Sequence, residues 1–221
     1  MKLLDGKQVS ERLKQEITLE AGDVFQKIGR KPHLAVILVG TDGASETYVA
    51  NKIRSCEQVG FKSTLYRYET NVTETELLAK IEEINDNAEV DGLLIQLPLP
   101  KHITVSKVIG KIAPEKDVDG FHPINLGRMQ SNLPTFIPAT PYGILLMLKE
   151  YQIDTAGKHC VVIGRSHIVG SPMSVLMARN SYPGNCTVTI CHSQTPDIKK
   201  FSSDADILIV AVGKKHFVTA D

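Results

Sequence analysis

The chain has 221 residues, of which 42% are hydrophobic and 23% charged, with 25 Lys plus Arg balancing 25 Asp plus Glu. That composition excludes disorder and fibrous repeats, and with no basic block it argues against nucleic acid or an anionic membrane as the main partner. No apolar run is long enough for a membrane span, the N-terminus meets a charge too soon for a signal peptide, and Cys56, Cys160, Cys186 and Cys191 lack CxxC or zinc spacing, so a cytoplasmic protein with reduced thiols and no metal site is expected.

Asp5 is placed to cap a first helix with apolar positions Val9, Leu13, Ile17, Val24 and Ile28. Residues 34–39, LAVILV, form a continuous apolar run, the pattern of a strand buried on both faces of a parallel sheet. A helix over 45–58 follows, stopped by Gly60. Residues 61–68 read as a strand. Residues 73–85 read as a helix opened by a capping box at Thr73 and Glu76, and residues 91–97 read as a strand ended by Pro98 and Pro100. A short helix is expected over 105–112. From there to Pro138 prolines are frequent and periodic signals few.

Alternation then restarts, with a helix entered at Pro141 and running through Tyr151. A strand over 160–163, a helix over 169–180 and a strand over 187–191 come next, followed by a short helix over 197–201 and a strand over 207–212. Strands alternating with helices imply parallel sheets joined by right-handed crossovers. The fold expected is α/β in two domains, 1–138 and 139–221, divided at the proline-rich segment. No internal repeat is visible.

Three places carry candidate chemistry. Residues 163–170, IGRSHIVG, join a predicted strand to a predicted helix, where a dinucleotide fold holds its phosphates. The spacing is not GxGxxG: Ser166 occupies the second glycine position and Gly170 comes one residue late. A tight βα connection without a ligand would use similar residues. The next strand ends in Cys191-His192-Ser193 with no carboxylate to hold a ribose 2′-hydroxyl, and Arg165, His192 and Ser193 would tolerate a 2′-phosphate. This favours NADP over NAD.

Ser45, Tyr48 and Lys52 lie at i, i+3 and i+7 and share one helix face. A solvated face is the ordinary explanation. The functional one is an aromatic platform beside an amine. A lysine base near pH 7 needs its pKa lowered by about three units, about 4 kcal/mol, in a desolvated or cation-crowded site. Gln96 falls near a strand's C-terminal end, where open α/β sheets bind ligands. Asp117-Val118-Asp119-Gly120 reads either as an Asx turn or as a carboxylate site for an amino-pyrimidine.

Taken together, six segments resemble the bifunctional methylenetetrahydrofolate dehydrogenase/methenyltetrahydrofolate cyclohydrolase (FolD) family. They are residues 39–52 (VGTDGASETYVANK), 91–100 (DGLLIQLPLP), 114–121 (PEKDVDGF), 138–141 (PATP), 164–172 (GRSHIVGSP) and 191–195 (CHSQT), in the family's order. The resemblance implies an N-terminal folate-binding catalytic domain, a C-terminal Rossmann-like NADP domain, a cleft between them and a homodimer. It implies that Tyr48 stacks on the folate ring system, Lys52 is the main catalytic group, and Ser45 and Gln96 hold it and position water. Asp119 would accept hydrogen bonds from the pterin. Gly164, Arg165, Ser166 and Gly170 would hold the cofactor phosphates, with His192, Ser193 and Thr195 near the adenosine.

The implied chemistry is oxidation of 5,10-methylenetetrahydrofolate with NADP, then hydrolysis of the methenyl product to 10-formyltetrahydrofolate. Members of that family continue for several dozen residues past the position matching Asp221, so this sequence is expected to leave the nucleotide sheet incomplete. A monofunctional dehydrogenase, or a truncated inactive dinucleotide-binding or dimerisation module, are the alternatives.

Overall fold

The computed structural model describes residues 3–219. The chain divides into two compact units, Asp5–Phe136 and a second running from Ile137. The first contains α1 (Gly6–Ile28), β1 (His33–Val39), α2 (Gly43–Gln58), β2 (Lys62–Tyr68), α3 (Glu74–Asp86), β3 (Gly92–Ile95), α4 (Val105–Lys111) and α5 (Pro123–Gln130). The second contains α6 (Ala139–Glu150), β4 (His159–Ile163), α7 (Gly170–Ala178), β5 (Thr187–Cys191), α8 (Ile198–Ser203) and β6 (Ile207–Val210).

Both sheets are parallel and three-stranded, and both run in the same order, β2-β1-β3 and β5-β4-β6. The chain leaves the central strand to one side and returns on the other. Each sheet therefore has a switch point at the C-terminal end of its middle strand, where α/β sheets open a ligand crevice. The middle strands are apolar on both faces because both faces are covered. Ala35 and Ile37 pack with Leu77, Ile81 and Ile84 of α3, whereas Val36 and Leu38 pack with Val49 of α2. In the second unit, Cys160 and Val162 meet Met173 and Met177 of α7, while Val161 and Ile163 meet Ile198 and Phe201 of α8.

The same clasp closes the N-terminal end of each sheet. The His33 amide donates to Asp91 Oδ2 (2.8 Å), its Nδ1 lies 2.9 Å from the Glu89 carbonyl, and its Nε2 lies 2.8 Å from Thr64 Oγ1. The His159 amide donates to Asp206 Oδ2 (2.8 Å), its Nδ1 lies 3.1 Å from the Asp204 carbonyl, and its Nε2 lies 2.9 Å from Thr189 Oγ1. Each histidine, through its ring and its amide, ties its middle strand to one neighbouring strand and to the turn that leads into the other. A carbonyl only accepts, so Nδ1 carries the proton in both rings.

Three expectations are corrected. The segment after α4 is not irregular: it holds α5, with Pro123 in its first turn and the His122 ring nitrogen Nδ1 accepting the Ile124 amide at 3.1 Å. The last strand ends at Val210 rather than 212. The apolar positions chosen for α1 are only partly a core face: Val9 is buried and Leu13 half-buried, but Ile17, Val24 and Ile28 are exposed, and the other buried residue of the helix is Ala21, which is not among them. The Asp5 cap is present, accepting the Lys7 and Gln8 amides.

Candidate active site

In the first unit the groups gather at the C-terminal edge of β1 and β3. Gly40 turns the chain out of β1 at φ 81° and leads into α2. Asp42 caps that helix by accepting the Ser45 amide at 2.8 Å, and this bond holds its carboxyl below the usual range. The cap fixes where the helix starts, and so where its polar face points. Ser45 is buried, Tyr48 is 64% exposed, and Lys52 is partly covered.

Lys52 Nζ lies 3.9 Å from Asp119 Oδ1. Asp119 arrives on the segment after α4, which runs alongside β3 through a parallel bridge between Leu93 and Asp117. Burial pushes the Asp119 carboxyl up from its ordinary value, the Lys52 ammonium opposes that rise, and the Asp117 charge adds to it. Gln96 follows β3. Its amide donates to the Ile37 carbonyl (2.9 Å) and its Nε2 to the Leu97 carbonyl (2.7 Å), whereas Oε1 is buried without a hydrogen-bond partner. Leaving a buried acceptor unmatched costs about 1–3 kcal/mol, and such atoms in native proteins call for a functional account. A donor brought by a ligand would satisfy it.

Among the described residues no hydrogen bond joins Lys52 to Ser45 or to Gln96. The pairing of Lys52 with Asp119 is the feature spacing could not reveal, because the two are far apart in the chain. The DVDG pattern located the carboxylate but not its partner.

The second unit repeats the topology with a different helix start. Gly164 leaves β4 at φ 116°, where an added Cβ would stand 2.5 Å from the Ala211 carbonyl oxygen. A Cβ on Gly170 would stand 2.1 Å from the Gly164 carbonyl oxygen. The late glycine is thus what lets α7 sit against the turn. Ser166, in place of a glycine, closes α7 through its hydroxyl, which accepts the Val169 amide at 3.2 Å. At α2 the helix start already holds the Asp42 carboxylate; at α7 a neutral hydroxyl leaves the positive helix end available to a phosphate.

A crevice of about 270 Å³ opens at the switch point of β4, lined by Gly164, Arg165, His192, Ser193, Val212 and Phe217 among others, with no carboxylate in its wall. These residues fit an anionic dinucleotide. Thr195 is not in the crevice wall, but its Oγ1 accepts the His192 amide at 2.9 Å and so shapes the turn that presents His192 and Ser193. The cysteines are poor nucleophiles: burial pushes the Cys160 thiol up to about 12 and raises those of Cys56, Cys186 and Cys191.

An amine beside a partly buried carboxylate in one α/β unit, with a glycine turn for a dinucleotide in the next, points to an enzyme of the nicotinamide-dependent dehydrogenase class. Comparison with known proteins narrows the class. Residues 4–119 match the tetrahydrofolate dehydrogenase/cyclohydrolase catalytic domain, and residues 138–221 match the NAD(P)-binding domain of that family. The chain is 58% identical, over its whole length and 76% of the relative's, to the bifunctional protein FolD of Cytophaga hutchinsonii, and 57% identical to that of Bacteroides fragilis, covering 75% of it.

It is also similar in structure to the FolD methylenetetrahydrofolate dehydrogenase/cyclohydrolase of Campylobacter jejuni (TM-score 0.91, 44% identity, 96% of this chain and 74% of that one). The Trypanosoma brucei enzyme, solved with NADP cofactor and inhibitor, matches with a TM-score of 0.89 at 32% identity, over 95% of this chain and 71% of that one. The chain belongs to the tetrahydrofolate dehydrogenase/cyclohydrolase family.

Proposed function

We propose that the protein oxidises 5,10-methylenetetrahydrofolate with NADP and hydrolyses the methenyl product to 10-formyltetrahydrofolate, acting as a cytoplasmic homodimer. The observation that carries this reading is Lys52 set 3.9 Å from the partly buried Asp119 in the first unit.

Tyr48, standing exposed four residues before Lys52, offers a face on which a flat heteroaromatic ring stacks. Asp119 accepts hydrogen bonds from the ring's amino-substituted edge, which fixes its register against Lys52. Lys52 serves the proton transfers that ring opening by water demands, and Gln96, with its free buried oxygen, takes a donor from substrate or water. Ser45 supports the start of the helix bearing Lys52 and positions that amine.

Gly164, Arg165, His192 and Ser193 would hold NADP, with Ser166, Gly170 and Thr195 shaping the turns that present them. Bound NADP supplies hydride acceptance. The chain's own residues bind, orient and exclude water around the transferred hydrogen.

A two-wavelength assay tests the proposal. With 5,10-methylenetetrahydrofolate and NADP, NADPH should form without accumulation of methenyl product, and kcat/KM should be higher for NADP than for NAD. Accumulating methenyl product would reduce the function to the dehydrogenase alone. A preference for NAD would remove the role given to Arg165, His192 and Ser193.

A further inference from the structure

The segment that delivers Asp119 is held by a buried polar chain for which the proposed chemistry has no use. Asp117, two residues earlier, is 1% exposed, and no ion pair reaches it among the described residues. Its Oδ2 accepts both the His122 amide and Asn125 Nδ2, each at 2.8 Å. Asn125, also 1% exposed, donates through Nδ2 to the Pro114 carbonyl as well (2.8 Å), and its Oδ1 accepts the Thr135 hydroxyl (2.8 Å). Upstream, Lys116 Nζ donates to the carbonyls of Ile84, Asn85 and Asn87 at the end of α3, at 2.9, 2.7 and 2.8 Å.

A buried carboxylate met only by neutral donors is a poor way to gain stability, since an apolar residue would avoid the desolvation. What the arrangement does supply is a fixed position. Residues 114–122 are tied at Pro114, Lys116, Asp117 and His122, which leaves Asp119 on a short, doubly anchored arch.

We propose that Asp117 and Asn125 are positioning residues that hold the Asp119 carboxylate opposite Lys52. The inference rests on the reading above for what Asp119 binds, but the geometry it describes is independent of turnover. The charged groups facing Asp119 are Lys52 from α2 and Asp117 from its own segment. The rest of its slot is apolar: Leu93 and Ile95 of β3, Ile109 and Ile112 at α4, and Phe121.

Two variants separate charge from anchoring. Both hydrogen bonds to Asp117 end on one oxygen, so Asp117→Asn keeps an acceptor there and removes only the charge. The titration of Asp119, followed by carboxyl ¹³C NMR, should then move to lower pH. Asn125→Ala cuts the anchor. The KM for the folate substrate should rise about tenfold with the KM for NADP unchanged, and the Asp119 titration should fall as water reaches it. Thr135→Val should move in the same direction, and Thr135→Ser should restore the parent behaviour.

An Asn125→Ala protein with unaltered Asp119 titration would overturn the proposal, as would one in which both KM values rise together with loss of the folded circular dichroism spectrum. If the parent protein turns over no folate, the functional reading fails, while the NMR titrations still decide whether Asp117 and Asn125 set Asp119.

Discussion

Lys52 faces the partly buried Asp119 carboxylate, and its value to the reaction depends on which step requires a proton. Removal of hydride from a methylene carbon needs none, whereas attack of water and ring opening need several transfers. Lys52→Met should therefore abolish the cyclohydrolase, by at least about a hundredfold on the scale of a lost general acid–base group, and spare part of the dehydrogenase. The check is accumulation of methenyl product by the variant where the parent shows none. Intact cyclohydrolase would remove Lys52 from the mechanism. Ser45, Tyr48 and Lys52 were legible in the sequence because helical spacing alone puts them on one face. Asp119 could be named as a candidate, but its dependence on Lys52 and on Asp117 is a matter of long-range packing, which a local pattern does not carry.

Helices and strands of strong periodicity were readable nearly to the residue, as with β5 over 187–191 and α2 ending at Gln58 before Gly60. α5 was not. Its eight residues contain Gly127 and too few turns for a period to emerge, and what stabilises it involves partners outside it: the His122 ring accepting the Ile124 amide and Asp117 accepting from Asn125. The apolar face of α1 was legible as a period but not as a burial, since periodicity does not say what covers a helix. Between elements, Glu74 at the start of α3 links to the start of α4, its carboxylate accepting the Thr104 amide (2.7 Å) and Lys107 Nζ (2.8 Å).

The Lys107 hydrogen bond, and then the Thr104 amide, lower the Glu74 carboxyl from 4.5 to about 2. A depressed folded-state value means the link stabilises the fold above pH 4.5 and is lost as pH falls from 4.5 through about 2. Glu74→Gln should flatten the dependence of the denaturant midpoint on pH in that window. An identical slope in parent and variant would show the link to be without effect on stability.

On the scale of the whole molecule, two units with unrelated sequences share one strand order and one way of closing the N-terminal sheet edge. No repeat is visible in the sequence because the sharing lies in a few separated positions: a histidine opening the middle strand, a threonine two residues beyond its partner on the next strand, and an aspartate before the third. Gly170→Ala tests how far the second unit stands alone. A Cβ 2.1 Å from the Gly164 carbonyl oxygen meets backbone that cannot yield, so the α7 turn should open, NADP binding should be lost and the second sheet should loosen. The two histidine rings make that outcome visible. In each, the proton is pinned to Nδ1 only while the middle strand stays joined to its neighbouring strand and to the turn before the third, and unfolding frees it to exchange between nitrogens. Among the seven histidines, His33 and His159 thus supply one assigned imidazole ¹⁵N signature per unit, a pair of built-in reporters of local melting. In the Gly170→Ala protein the His159 signature should fade while that of His33 persists, and simultaneous loss would mean that the two units melt as a single cooperative body.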